Sequence, residues 1–220
     1  MEYKCLFCSQ MLEQSTTQAS CLYCSTVEET EYTCPNNHYF CEECRLAGSY
    51  ELLGRVVEGN GLTDPIRLAN LVMTHYSFPA HGPEHHQLIA VVLLVCLKNA
   101  GHSHVTTLKI KRAMERLGTI PSRACGTYGN CGACVGAGVA TSVLLRATHL
   151  SNTERSKALA VTGRCSVDLA DQGGPRCCKA SVYTSLGRFL QDVLSVPTPE
   201  IVCEFKGISE CKMEDCLYYK

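Results

Sequence analysis

The chain has no tryptophan, few aromatics of any kind (7%), and no long apolar run. Its most apolar stretch, Leu88 to Leu97, is about half the length a membrane span needs, so no membrane association is expected. The start, Met1-Glu2-Tyr3-Lys4-Cys5, lacks the basic residues, apolar run and small-residue cleavage site of a secretory signal. No glycine-rich phosphate loop followed by Lys-Ser or Lys-Thr is present, and no dinucleotide fingerprint follows a strand. A nucleotide-dependent enzyme is therefore not expected. Basic residues are scarce where a binding module would need them: residues 1–50 hold seven acids and two bases, a balance of −5. Phosphate backbone binds clustered Lys and Arg, so nucleic acid is an unexpected partner.

What the chain has in excess is cysteine, seventeen in 220 residues. Together with the missing secretory signal, this predicts a cytoplasmic location, where thiols stay reduced and clustered cysteines are metal ligands rather than disulfides. The expected fold is mainly α: a helical bundle-like body with a small N-terminal zinc-ribbon or treble-clef-like module. The expected divisions are 1–45, 46–196 and a cysteine-rich tail, 197–220, packing on the body.

In the first division the candidate ligands come in pairs: Cys5 and Cys8, Cys21 and Cys24, then Cys34, His38, Cys41 and Cys44. Eight ligands suit two tetrahedral zinc sites. The residues between them are too polar to build a core unaided, so folding here is expected to need metal. Spacing leaves the pairing open. The first four cysteines can share one ion and the last four ligands the other, or the pairs can interleave, which the Cys34–Cys44 run loosely resembles in RING-like cross-braces.

From residue 46 the apolar period is helical. Helices are predicted around Leu52–Val57, after Asp64-Pro65, from Pro83 to Gly101, and over Thr106–Leu117 with Leu108, Ile110, Met114 and Leu117 inward. Others are predicted over Val135–His149, from a Ser151–Glu154 capping box towards Leu169, and after Pro175. Cys96, alone in the apolar helix, is expected in the core, and His102 and His104 at the surface. Three groups fall at predicted helix starts: His81, Glu84, His85 and His86; Cys131 and Cys134; Cys177 and Cys178. A helix start favours anions and lowers a thiol's pKa. His81 to His85 also matches an inverzincin H-x-x-E-H, but Gly82-Pro83 places His81 before the helix.

Cys125, Cys131, Cys134, Cys165, Cys177 and Cys178, with Cys203, Cys211 and Cys216 of the tail, are candidate ligands of an iron–sulfur cluster such as 4Fe–4S. The loop Cys125–Cys134 approaches the plant-type spacing, with one extra residue. His81, Glu84, His85 and His86 are candidate proton donors or metal ligands, and Arg176 or Lys179 could hold an anionic group. The expected function is an oxygen-sensitive iron–sulfur enzyme for redox, sulfur-transfer or one-carbon chemistry on a small anionic substrate. A non-enzymatic zinc adaptor or metal carrier docking a larger partner protein is the alternative. The partner is thus a small molecule, or a redox or transferase protein.

The motifs His-Gly-Pro-Glu-His-His (81–86), Gly-Gly-Pro-Arg-Cys-Cys-Lys (173–179) and the terminal Cys-x7-Cys-x4-Cys resemble an uncharacterised Cys/His-rich domain family of anaerobic bacteria and methanogenic archaea. The resemblance covers about residues 46 to 220 and implies an anaerobic metalloprotein, without a mechanism. Cys131-Gly132-Ala133-Cys134 is also similar to the cluster loop of molybdenum hydroxylases, and loosely to small helical redox proteins with a Gly-Cys-Ala motif.

Overall fold

A computed structural model describes residues 3–174, 176–205, 211 and 215–220. Near the N-terminus, strands β1 (Glu13–Ser20) and β2 (Val27–Thr33) pair antiparallel, from Glu13 opposite Thr33 to Ser20 opposite Val27. This two-stranded sheet is consistent with the zinc-ribbon-like module expected here, although the sequence did not locate its strands. Thr, Gln and Glu populate both faces of the hairpin, so it lacks the two-residue apolar alternation that announces a strand. Helix α1 (Glu42–Leu46) follows.

The body is helical: α2 (Ser49–Gly59), α3 (Pro65–Met73), α4 (Glu84–Asn99), α5 (Thr107–Gly118), α6 (Ala124–Thr127), α7 (Gly132–Leu144), α8 (Thr153–Asp171) and α9 (Cys178–Asp192). Asp64 caps α3 as expected, its carboxylate accepting from the N–H groups of Ile66 and Arg67. Helix α4 forms the centre. Every residue from His85 to Leu97 is buried, and α2, α3, α5, α7 and α9 all pack on it. A helix apolar all round can sit only there. Cys96 lies in this core, where burial pushes its thiol up to about 12.

Helix α7 approaches α4 and α8 through glycines. A side chain at Gly132 would strike the His86 ring, one at Gly136 would strike Ile89, and one at Gly138 would strike Thr162. Three sequence expectations are corrected here. The helix starts at Gly132 and ends at Leu144, not 135–149, because packing against α4 outweighs the helix penalty of glycine. The Ser151–Glu154 capping box does not form: Ser151 Oγ accepts from Thr148 N–H (3.0 Å), and α8 begins after Asn152 without a side-chain cap. Leu108 is 59% exposed; the buried stripe of α5 is Ile110, Ala113, Met114 and Leu117. His102 is exposed, whereas His104 is half-buried and donates from Nε2 to Leu144 O (2.8 Å) at the end of α7.

The N-terminal segment is seated on the body. Asn60 Nδ2 donates to Leu22 O (2.9 Å) and Tyr23 O (3.2 Å), and Tyr23 Oη to Leu71 O (3.4 Å). His75 Nε2 donates to Cys44 O (3.1 Å). At the other end, Asn70 on α3 accepts from Tyr183 Oη (2.8 Å) and donates to Glu204 (2.7 Å), tying the tail down. Among the described residues no helix is long and apolar enough to cross a membrane.

The helix contacts make opposite predictions for two glycines. Gly136→Ala forces a methyl onto Ile89 and to 2.8 Å from His86 O, and should destabilise the protein by about 1–3 kcal/mol. Gly163→Ala on α8 meets nothing within 4 Å and should stabilise it by about 0.5–1 kcal/mol. Denaturant unfolding of the two variants checks both signs.

Candidate metal centres and the cavity at the helix starts

Two groups of four ligands close up in the N-terminal segment: Cys5, Cys8, Cys34 and His38, and Cys21, Cys24, Cys41 and Cys44, each with all ligand atoms within 4.8 Å of one another. The pairs therefore interleave, which selects the cross-brace among the two pairings the spacing allowed. Cys8 and Cys34 Sγ are 3.5 Å apart, Cys24 and Cys41 Sγ 3.7 Å, and His38 Nδ1 lies 3.7 Å from Cys5 and Cys34. Thiolates about 2.3 Å from a tetrahedral ion stand about 3.8 Å apart, so either group could hold a metal ion such as zinc.

The local backbone explains this closeness. In each of two turns the serine after the second cysteine donates its N–H back to the first cysteine: Ser9 to Cys5 O (2.9 Å) and Ser25 to Cys21 O (2.8 Å). Ser9 and Ser25 both take positive φ, 59° and 60°. The pentapeptides Cys5-Leu-Phe-Cys8-Ser9 and Cys21-Leu-Tyr-Cys24-Ser25 are near repeats. That repeat was the overlooked signal: equivalent turns begin equivalent sites, so each needs its own later pair. The second group is crowded enough to split its own titration. A hydrogen bond from Cys44 draws Cys21 down to about 4, while burial lifts Cys41 to about 11 and the Cys21 thiolate raises Cys44.

In the body, a cavity of about 690 Å³ opens where α4, α7 and α9 begin. His81, His85, His86, Cys125, Cys131, Arg176 and Cys178 line it, together with Arg123, which sequence reasoning passed over. Arg123 holds a left-handed backbone (φ 64°) at the rim, a conformation that costs a non-glycine residue energy and clusters at functional sites. Cys178 N–H donates to Ala80 O (2.8 Å), which pins the start of α9 to the His-Gly-Pro turn.

His85 is fully buried. Its Nδ1 lies 3.2 Å from Gly82 O, a carbonyl that can only accept, so Nδ1 carries the proton and a neutral ring leaves Nε2 bare. Among the described residues no hydrogen-bond partner reaches His85 Nε2 or His86 Nδ1. Glu84 Oε1 sits 3.1 Å from His85 Nδ1 but off the line of its N–H, and makes no hydrogen bond. Burial would raise Glu84, yet the His85 ring beside it holds the carboxyl below its ordinary range. Burial, with His85 next to it, lowers His86. A side chain at Gly82 would meet the Glu84 carboxylate and displace it from beside His85.

The nine candidate cluster cysteines do not form one ring. Cys131, Cys134 and Cys165 form a chain of thiols: Cys131 lowers Cys134, but Cys165 and burial outweigh it and carry Cys134 up to about 12. Cys125 is exposed at the cavity rim, and burial lifts Cys178 to about 11. Cys177, Cys203, Cys211 and Cys216 gather in a separate pocket across α9. Lys179 belongs to that pocket and not to the histidine cavity.

A family of unknown function, DUF5714, matches residues 54–219, and the chain belongs to it. No curated protein and no solved structure matches the chain.

The interleaved pairing has a direct test in zinc content. Removing Cys8 and Cys34 together should leave one zinc per chain, because both serve one site. Removing Cys8 and Cys21 should leave none, because each site loses a ligand. Sequential pairing would give the reverse, and metal analysis of the two double Ser variants separates them.

Proposed function

We propose that the protein is a cytoplasmic, oxygen-sensitive iron–sulfur enzyme whose N-terminal segment is held by two zinc ions. It would carry out redox, sulfur-transfer or one-carbon chemistry on a small anionic substrate. The observation that supports this reading is the cavity at the helix starts, where two buried imidazole nitrogens have no partner among the described residues and lie beside a thiol and two guanidinium groups. Buried polar atoms are almost always paired, so His85 Nε2 and His86 Nδ1 are placed to take a proton from, or ligate, something that enters the cavity.

Each residue then has a part. Arg123 and Arg176 suit the carboxylate or phosphate of an anionic substrate. Gly82 O fixes the His85 tautomer, and Glu84 beside it would stabilise the imidazolium formed on protonation. His81 lies on the turn before α4, at the mouth. The Cys178 thiol faces the same space. The body and tail cysteines would hold the cluster, which supplies electron transfer or Lewis acidity when bound.

The exposed hairpin supports a second reading, a zinc adaptor or metal carrier. Glu13, Glu29 and Glu31 are exposed on it and give a partner protein an acidic surface.

Metal and acid-labile sulfide content of the full chain, purified without oxygen and scanned in the visible, tests the choice. Iron with sulfide and a broad visible absorption is the expected result. A thermal-shift screen of small anionic compounds should then find one that stabilises the native protein and not His85→Gln. Colourless protein containing zinc alone would overturn the iron–sulfur enzyme and leave the adaptor.

A further inference from the structure

The cavity at the helix starts selects by hydrogen bonding as well as by charge. We infer that its ligand is a small hydroxylated anion, a hydroxycarboxylate or a polyol phosphate, whose neutral hydroxyl groups donate to His85 Nε2 and His86 Nδ1. This rests on the reading of the cavity as the site of a small anionic substrate, and names the class that the site takes.

Both imidazoles are set as acceptors. His85 Nδ1 donates to Gly82 O (3.2 Å) and leaves Nε2 with its lone pair. His86 is bonded to the backbone of Ile120 in the sense that favours a charged ring. A carbonyl acts in that sense and an N–H does not. Since no partner among the described residues reaches Nδ1, the bond to Ile120 is made by Nε2–H, and Nδ1 also keeps its lone pair. Burial outweighs that bond and lowers His86, so its ring is neutral at neutral pH. His85 is fully buried, His86 is 7% exposed, and both line the cavity. Buried acceptors left without a donor are costly, so a ligand that fills this space has to bring donors.

The rest of the lining decides what kind of donor. Arg123 and Arg176 line the cavity with the histidines, and among its described residues there is no carboxylate. Helices α4, α7 and α9 turn their starts, and the positive ends of their dipoles, to the same space. An anionic group is favoured there. An ammonium is not, because it would enter a space lined by two guanidinium groups with no carboxylate of the protein to pair with it. An amino acid therefore fits poorly, although its ammonium could donate to the histidines. Sulfate satisfies the arginines and leaves the imidazoles bare. A hydroxyl beside a carboxylate or phosphate meets both demands: its O–H donates to an imidazole, and no positive charge enters. At about 690 Å³ the cavity has the volume of an ordinary small-molecule site.

Calorimetric titration of the full chain at neutral pH with malate, succinate and aspartate tests this. The three dicarboxylates share one carbon skeleton and differ in carrying a hydroxyl, a hydrogen or an ammonium. Glycerol phosphate against propyl phosphate makes the same comparison for the other anion, and the pair that binds tells a carboxylate site from a phosphate site. In at least one pair the hydroxylated member should bind about tenfold tighter or more, the cost of leaving a buried acceptor unpaired. Aspartate should bind no better than succinate. His86→Phe keeps the ring and removes its nitrogens; it should reduce the hydroxyl preference severalfold while the plain anion binds as before. If that variant loses its helical circular dichroism, His85→Phe and the native comparison decide. Equal binding of hydroxylated and plain anions, aspartate binding as tightly as malate, or a preference untouched in folded His86→Phe and His85→Phe overturns the hydroxylated class and leaves the small anionic substrate standing. A native chain that binds none of the five compounds overturns both.

Discussion

Complete burial of α4 is the constraint on which the rest of the body depends. Thirteen consecutive residues, His85 to Leu97, are out of water, so helices must cover every face. One of the covering helices, α7, has to come very close, and its glycines permit it: Gly132 meets His86, and Gly136 meets Ile89. The same closeness brings the starts of α4 and α7 to one place. His85 and His86 are thus carried into the interior as the polar end of an apolar helix, and their unpartnered nitrogens follow from that.

The N-terminal segment obeys a different constraint. Its hairpin is polar on both sides and buries little, so a metal ion held by each group of four would take the place of a core. Interleaving makes the two groups interdependent, since the chain from Cys5 to Cys44 cannot form either without ordering part of the other. The second group is also joined to the body through Tyr23, Asn60 and His75. Loss of metal there would loosen a surface on which α2 and α3 rest.

The first turn of α9 divides the body's chemistry. Cys177 turns to the tail and Cys178 to the histidines, because consecutive residues at a helix start point about a quarter-turn apart. Lys179 continues the turn into the tail pocket, with its stem among aromatic rings and its charge on two carbonyls. A dry cysteine pocket and a roomier cavity with histidine and arginine therefore stand side by side without merging.

The sequence by itself determined the helical class of the body, the buried helix after Pro83, the Asp64 cap, and eight N-terminal ligands in pairs. These are local matters: an apolar period, a proline, a C-x-x-C turn. It also placed His81–His86, Cys131–Cys134 and Cys177–Cys178 at helix starts, which the fold gathers around two neighbouring pockets. It did not locate the two strands of the hairpin, whose polar faces carry no period, nor the exposure of Leu108. The failure of the Ser151–Glu154 cap, the interleaving of ligands, the separation of Cys177 from Cys178, and the burial of Lys179 were decided by tertiary structure alone. Each depends on which distant segment arrives at a given face, and that is settled by packing around α4 rather than by residues adjacent in the chain.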